Sequence, residues 1–434
     1  MRTLLTFIVF LFCLMFFSPY AAYSSPDLSM TTVVPESVGI STERLKRFEE
    51  TWQREIAAKS FPGAITLIAR DGKLAYFQTI GHHDDKQTKP MPADAIFGAA
   101  SLTKPIVSVA AMMLVEQGRL KLGDPIGKHL KEFDGVKMQV EVVKTGADGS
   151  QVSELVPAER DITVYDLLRH TSGLCTEGNG TPLVKKAYVD QETTMFSPLS
   201  SEVMLERVAK IPLCYQPGQT FCYGMSTDIL GLLLERVVGQ NLDVLLKKMV
   251  LIPLKMIDTT FIVPESQKGR LPEFFENDAL KSWSLQVMAA NGSDGKAFFK
   301  GASGIYTTVW DYYRFCTFLL NGGELEGVRL LSPKTVDFMT SQHLQDTTTP
   351  THTVGMEGPG YGFGLGFGVR LATGGAWFHG TAGDYSWGGA YGHYFFVDPK
   401  ERFIGIFMSY GSANRGHVRQ VFKNLAYGAI ETEY

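Results

Sequence analysis

The chain has 434 residues, 44% hydrophobic and 20% charged, more than one hydrophobic core usually holds, so two packed units are expected and disorder or a coiled coil is excluded. Its 41 Lys and Arg against 45 Asp and Glu give a net charge of -4, with no run of either sign to track a phosphate backbone, so no nucleic-acid partner is expected. The 44 glycines and 20 prolines are scattered without period, which suits many tight turns and excludes collagen-like sequence.

In chain order, the first feature is an apolar run from Leu4 to Phe17 behind the lone cation Arg2, followed by Pro19, Ala21, Ala22, Ser24 and Ser25. This is the layout of a secretory signal peptide, residues 1–24, with cleavage expected near Ala22 or Ser24. The run is shorter than the roughly 20 apolar residues of a bilayer span. No later segment is long enough either, so the expectation is an exported, soluble mature protein, periplasmic or secreted, with no membrane span after cleavage. Cys13 departs with the signal, leaving Cys175, Cys214, Cys222 and Cys316 in an oxidising compartment. Cys316 sits in the apolar stretch 310–320, which reads as a buried helix, so any disulfide is expected between two of the other three.

Gly63–Ala69 and Lys73–Thr79 are β-rich runs flanking Arg70-Asp71-Gly72, a strong hairpin signal. Apolar positions at three-and-four spacing predict helices over Pro105–Gln117, Val164–Arg169, Ser201–Lys210 and Ser226–Val238. Lys137–Val156, alternating around Ala147-Asp148-Gly149, reads as an exposed hairpin. Gly392–Val397 and Phe403–Ser409 flank Asp398 to Arg402 as a second core hairpin. Strands at both ends and helices between them predict an α/β domain from residues 30–125 and 290–434, with a mainly helical domain, 126–289, inserted. The cleft between them is the expected site. No cysteine pair has zinc-ligand spacing and His82-His83-Asp84-Asp85 lacks an HExxH-type partner, so neither a metal nor a cofactor is expected.

Ser101-Leu102-Thr103-Lys104-Pro105 opens an almost wholly apolar helical run. Pro105 is tolerated only near a first turn and so locates the helix start. Residues three apart share a face, which brings Lys104 to the Ser101 hydroxyl as a base to a nucleophile. A lysine on such a helix must be buried, paired or at a cleft. The other Ser-x-x-Lys, Ser293 to Lys296, lies in a glycine-rich loop. Tyr223 stands between the Pro217-Gly218 turn and Gly224, just ahead of a helix. Tyr385-Ser386-Trp387-Gly388-Gly389-Ala390-Tyr391-Gly392 is a strand whose glycines let a ligand approach the backbone.

Together with Asp94 to Phe97, Leu122 to Ile126, Leu167 to Leu174 and Leu320 to Leu325, these motifs resemble, from about Val34 to the C-terminus, the serine β-lactamase-like superfamily. That superfamily groups class C β-lactamases, D-alanyl-D-alanine carboxypeptidases, family VIII carboxylesterases and related acyltransferases. The resemblance implies a β-lactamase/penicillin-binding-protein-like antiparallel sheet flanked by helices. It implies acylation of Ser101, proton transfer shared by Lys104 and Tyr223, and an oxyanion hole from the backbone N–H groups of Ser101 and Ala390. His170 and Ser172 suggest a rival triad but in this family shape a loop beside the cleft. Gly224-Met225-Ser226-Thr227-Asp228 fails the hydrolase elbow at its last position, and Lys144-Thr145-Gly146 falls in the exposed hairpin rather than on a late core strand.

Two departures bear on substrate. Trp387-Gly388-Gly389 replaces the Lys-Thr-Gly of a β-lactamase, removing the cation that grips a carboxylate. Met225 stands where class C enzymes have an amide-binding asparagine. Both changes turn a polar anchor into an apolar surface, and Trp-Gly-Gly in this place resembles family VIII carboxylesterases, which implies hydrolysis of small neutral esters, with Trp387, Gly388, Gly389 and Met225 against the substrate. Weak β-lactam or D-peptide amide hydrolysis, and acyl transfer on the same site, are the alternatives. The oligomeric state is left open.

Overall fold

The computed structural model describes residues 32–292, 296–348 and 359–432. The expected signal peptide with Cys13, and Ser293 of the second Ser-x-x-Lys, lie outside the described residues. Seven strands make the central sheet: β1 (Gly63–Arg70), β2 (Lys73–Gly81), β3 (Tyr361–Phe363), β4 (Gly368–Arg370), β5 (Tyr385–Gly388), β6 (Tyr394–Asp398) and β7 (Phe403–Ser409). Their order is β2-β1-β7-β6-β5-β4-β3, antiparallel throughout. The β1–β2 turn has φ 55° at Asp71 and 70° at Gly72, the pair of left-handed residues that a two-residue hairpin of right-twisted strands requires. β1 lies beside β7, Ala64 opposite Ser409 and Arg70 opposite Phe403, so an early and a late segment of the chain are neighbours within the sheet.

Both faces of that sheet are covered. On one, α1 (Thr42–Ala57) supplies Leu45, Phe48 and Trp52. The C-terminal helix Arg415–Gly428 adds Phe422 and Ala426 against Phe396, Phe403 and Phe407. Alternate residues of a strand face opposite ways, so Ile404 and Ile406 meet the other layer, where Tyr312 of the helix Val309–Leu320 packs 5.1 Å from Phe395. Every residue of β7 is therefore buried, and the strand reads as a continuous apolar run. Each fully buried phenylalanine here contributes about 1.5–3 kcal/mol.

The expected helices are present with shifted ends. The helix read from Pro105, here α2, spans Thr103–Glu116 behind a 3₁₀ turn at Ala100–Leu102, leaving Pro105 in the first turn where its missing N–H costs nothing. Thr103 to Leu114 are all buried, as an all-round apolar helix demands. Val164–Leu168 and Ser201–Val208 are shorter than their patterns, and α3 (Ser226–Val238) has the predicted bounds. The hairpin Gln139–Thr145/Gln151–Pro157 carries exposed Val152 and Leu155. Cys175 and Cys214 form a disulfide, while Cys222 and Cys316 are buried thiols. Among the described residues no helix is long and apolar enough to cross a membrane. The described residues form one compact unit.

Candidate active site

Ser101 sits in the 3₁₀ turn that feeds α2, one residue after Ala100, whose φ of 48° is unusual for a residue with a Cβ. Residues three apart eclipse in a 3₁₀ turn, and Lys104 Nζ lies 3.2 Å from Ser101 Oγ. Lys104 is 4% exposed. Its ammonium donates to the Ala302 carbonyl at 2.8 Å and stands 4.5 Å from the centre of the Tyr223 ring. The Tyr223 hydroxyl is 2.7 Å from Ser101 Oγ. The segment before α3 is pinned from both sides: Asn179 Nδ2 donates to the Tyr223 carbonyl at 2.7 Å and the Cys222 N–H donates to the His170 carbonyl at 2.7 Å. The chain thus delivers nucleophile, amine and phenol to one point from two helix starts.

The facing wall is aromatic. Trp387 on β5 packs 5.5 Å from the Tyr223 ring and 5.2 Å from Phe363, and is itself buried. Gly389 follows at the strand's end, where a Cβ would lie 2.9 Å from the Ala99 carbonyl oxygen and from the His393 ring; only a glycine lets the strand end come this close to the Ser101 turn. Ala390 comes next and is half-buried. A Cβ on Gly388 would meet the Arg419 guanidinium, so this cation lies on the sheet face opposite Trp387. There it donates to the carbonyls of Gly389 and, at 3.2 Å, His393. Arg415 donates to the Ser412 carbonyl. Met225 is 1% exposed, and its sulfur accepts from the Tyr188 hydroxyl at 3.1 Å.

The rival motifs do not converge. Ser172 Oγ is bonded to Ser226 Oγ at 2.8 Å and accepts from the Leu174 N–H, whereas the His170 ring packs at a tilt 4.8 Å from the Tyr223 ring. Burial, reinforced by the charge of Lys104, holds His170 well below the usual imidazole range, so it is a neutral wall of the site. Lys144 pairs with Glu154 across the exposed hairpin. The cavity of about 280 Å³ lined by Ile126, Met138, Ile162 and Leu213 contains none of these residues. The sulfurs of Cys175, Cys214 and Cys222 lie within 4.8 Å of one another, but with the first two joined one thiol remains, and a disulfide offers no thiolate ligand. Sequence spacing gave no sign of this cluster, nor of Ala302, which acts through its backbone, nor of Asn179, whose side chain bonds a distant backbone carbonyl.

The Beta-lactamase family model matches residues 47–426. An uncharacterized protein of Mycobacterium tuberculosis is 32% identical over 350 residues, 80% of this chain and 85% of that protein. Esterase EstB of Burkholderia gladioli is 29% identical over 371 residues, covering 81% and 86% respectively. Among solved structures, EstCE1, a hydrolase with promiscuous acyltransferase activity, is similar at a TM-score of 0.73 and 25% identity, over 89% of this chain and 99% of that one.

Proposed function

The chain belongs to the β-lactamase family, as a serine hydrolase with esterase relatives, and we propose on that premise that it cleaves small neutral carboxylic esters through an acyl-enzyme on Ser101. One observation carries the reading: a single hydroxyl, Ser101 Oγ, stands within hydrogen-bond reach of both Lys104 Nζ and Tyr223 Oη. In the proposed cycle Ser101 Oγ attacks the ester carbonyl while its proton passes to the Lys104–Tyr223 pair. The backbone N–H groups of Ser101 and Ala390 receive the developing oxyanion. Collapse returns the proton to the leaving alcohol, and water activated by the same pair releases the acid. Transfer to an alcohol in place of water needs no other group, and EstCE1 is a neighbour with both activities.

The substrate preference rests on charge. Trp387 occupies the strand position where a β-lactamase holds its cation, Arg419 is engaged behind the sheet, and Met225 presents no amide partner. Export is proposed from the apolar N-terminal run and suits the Cys175–Cys214 disulfide. The test is a fluorophosphonate probe followed by intact mass, with p-nitrophenyl butyrate, nitrocefin and a D-alanyl dipeptide as substrates. One adduct lost in Ser101→Ala, with the ester turned over fastest, supports the proposal. Labelling that persists in Ser101→Ala would sink it.

A further inference from the structure

Behind Lys104 lies a second set of buried charges that the acylation cycle does not use. Lys104 donates to the carbonyl of Ala302, and the N–H of the same residue donates to Asp228 Oδ1 at 2.9 Å. Asp228 lies on α3, five residues after Tyr223, and is 4% exposed. Gly301 seats this loop on α3: a Cβ there would lie 2.6 Å from the Thr227 carbonyl oxygen. Asn291 grips the loop from the other side, accepting from the Lys300 N–H at 3.0 Å and donating to the Gly304 carbonyl at 2.8 Å. Ala302 is therefore a fixed link with Lys104 at one end and a carboxylate at the other.

Lys300 is 1% exposed. Its amine has a carbonyl contact to Ser197 at 3.5 Å and lies 4.4 Å from the centre of the Phe298 ring. Burial pushes it down to about 8, against the opposing charges of Asp228 and Glu177. Burial pushes Asp228 up, opposed first by Lys300, then by the Ala302 N–H and Lys104. Glu177 is also pushed up by burial and accepts from the Met195 N–H. Burial of a carboxylate favours its neutral form, and among the groups that oppose this at Asp228 the charge of Lys300 comes first.

We propose that Asp228 is a positioning residue for Lys104: through the Ala302 N–H it fixes the carbonyl that holds the amine at Ser101. The inference rests on Lys104 acting as the base proposed above. The titratable groups that bear on Lys104 are Ser101 and Tyr223 in front, neutral His170 beside them, and Asp228, Lys300 and Glu177 behind.

The test is kcat and KM against pH with p-nitrophenyl butyrate for wild type, Asp228→Ala, Asp228→Asn, Lys300→Met and the Asp228→Asn/Lys300→Met double variant. Asp228→Ala, which removes bond and charge, lowers kcat about tenfold or more with KM within about twofold. Asp228→Asn keeps an acceptor for the Ala302 N–H, so turnover recovers towards wild type. It also removes a negative charge behind the catalytic groups, so the acid limb of kcat/KM moves about 0.5–1 pH unit towards acid. Lys300→Met, which removes the first of the charges opposing the upward shift of Asp228, moves the limb the same way, and the double variant adds nothing further. An unmoved limb in both Asp228→Asn and Lys300→Met, or additive shifts in the double variant, overturns the proposal, and neither variant empties a packed site. Fluorophosphonate labelling of each variant separates the outcomes. Failure to label wild type at Ser101 removes the acyl-enzyme reading itself, whereas normal labelling with an unmoved limb removes only the role of Asp228.

Discussion

The two walls of the site differ in kind. The wall built by α2 and the segment before α3 is polar: Ser101, Lys104 and Tyr223 are joined by hydrogen bonds, and Lys104 is tied to Ala302 behind them. The wall built by β5 is apolar, with Trp387 packed on Tyr223 and Phe363 and the nearby cation turned to the far face. A polar wall that can make and break an acyl bond does not by itself choose the acyl donor. On the proposed reading the choice falls to the second wall, whose uncharged surface would favour a neutral ester over a carboxylated substrate. The walls should therefore fail separately, the first in rate for every substrate and the second in discrimination.

The largest effect is expected on the polar wall. Lys104→Met and Tyr223→Phe should each lower kcat/KM on every ester by about two to four decades, the usual range for losing general acid–base help. Tyr223→Phe keeps the ring against Trp387 and His170 and removes only the hydroxyl on Ser101. Near-wild-type turnover in that variant would mean that the phenol is structural and that the amine works alone.

The polar wall is also the more legible in sequence. Ser101-x-x-Lys104 on an apolar helix and Tyr223 at a tight segment are local patterns, and the turn that joins the first pair depends on chain geometry alone. Gly388 on β5 and Gly389 just past its end were legible too, because a glycine in or beside a strand marks close approach. The supports were not. Ala302 contributes a carbonyl and an N–H, which every residue possesses, and Asp228 looks like a helix-surface acid until tertiary packing buries it. In the fold, the β1–β2 hairpin and α3 followed from Asp71-Gly72 and an unbroken apolar period. β3 and β4 have three residues each, too few for alternation to register. The helices Thr42–Ala57 and Arg415–Gly428 went unread because their buried stripes are interleaved with Glu, Lys and Arg. The Cys175–Cys214 bond fell within the allowed set, but residues 39 apart carry no pairing signal of their own.

On the apolar wall the expected effect is smaller. A carboxylated β-lactam entering beside Trp387 must lose water without gaining a paired cation, so kcat/KM for p-nitrophenyl butyrate should exceed that for nitrocefin by about a hundredfold or more. Trp387→Lys should narrow that ratio while leaving fluorophosphonate labelling of Ser101 intact. Equal efficiency on ester and nitrocefin in wild type would overturn the substrate assignment and leave the nucleophile standing.

The smallest effect concerns the residue that pins one wall to the other. His393, between β5 and β6, is fully buried, with Nε2 2.9 Å from the Gly98 carbonyl near the Ser101 turn and Nδ1 accepting from the Ser409 N–H at 3.2 Å on β7. A second proton would have to sit on Nδ1, facing an N–H donor. Burial is the main reason that this imidazole is pushed down to about 3, with the charge of Arg419 adding to it against the Gly98 bond. Because the folded value lies below the unfolded value of 6.5, the unfolded chain binds the proton first as pH falls. The stabilisation is therefore complete above about pH 6.5 and is lost progressively towards about pH 3. Unfolding free energy should accordingly drop between pH 7 and pH 5 by about 1–2 kcal/mol from this residue. His170, depressed in the same direction, adds a slope of the same sign, so the decisive quantity is the difference between wild type and His393→Gln in urea melts across that range. The variant should start less stable at pH 7.5 and lose less on acidification. Parallel pH dependences in the two proteins would show that the walls are held together by something other than a neutral His393.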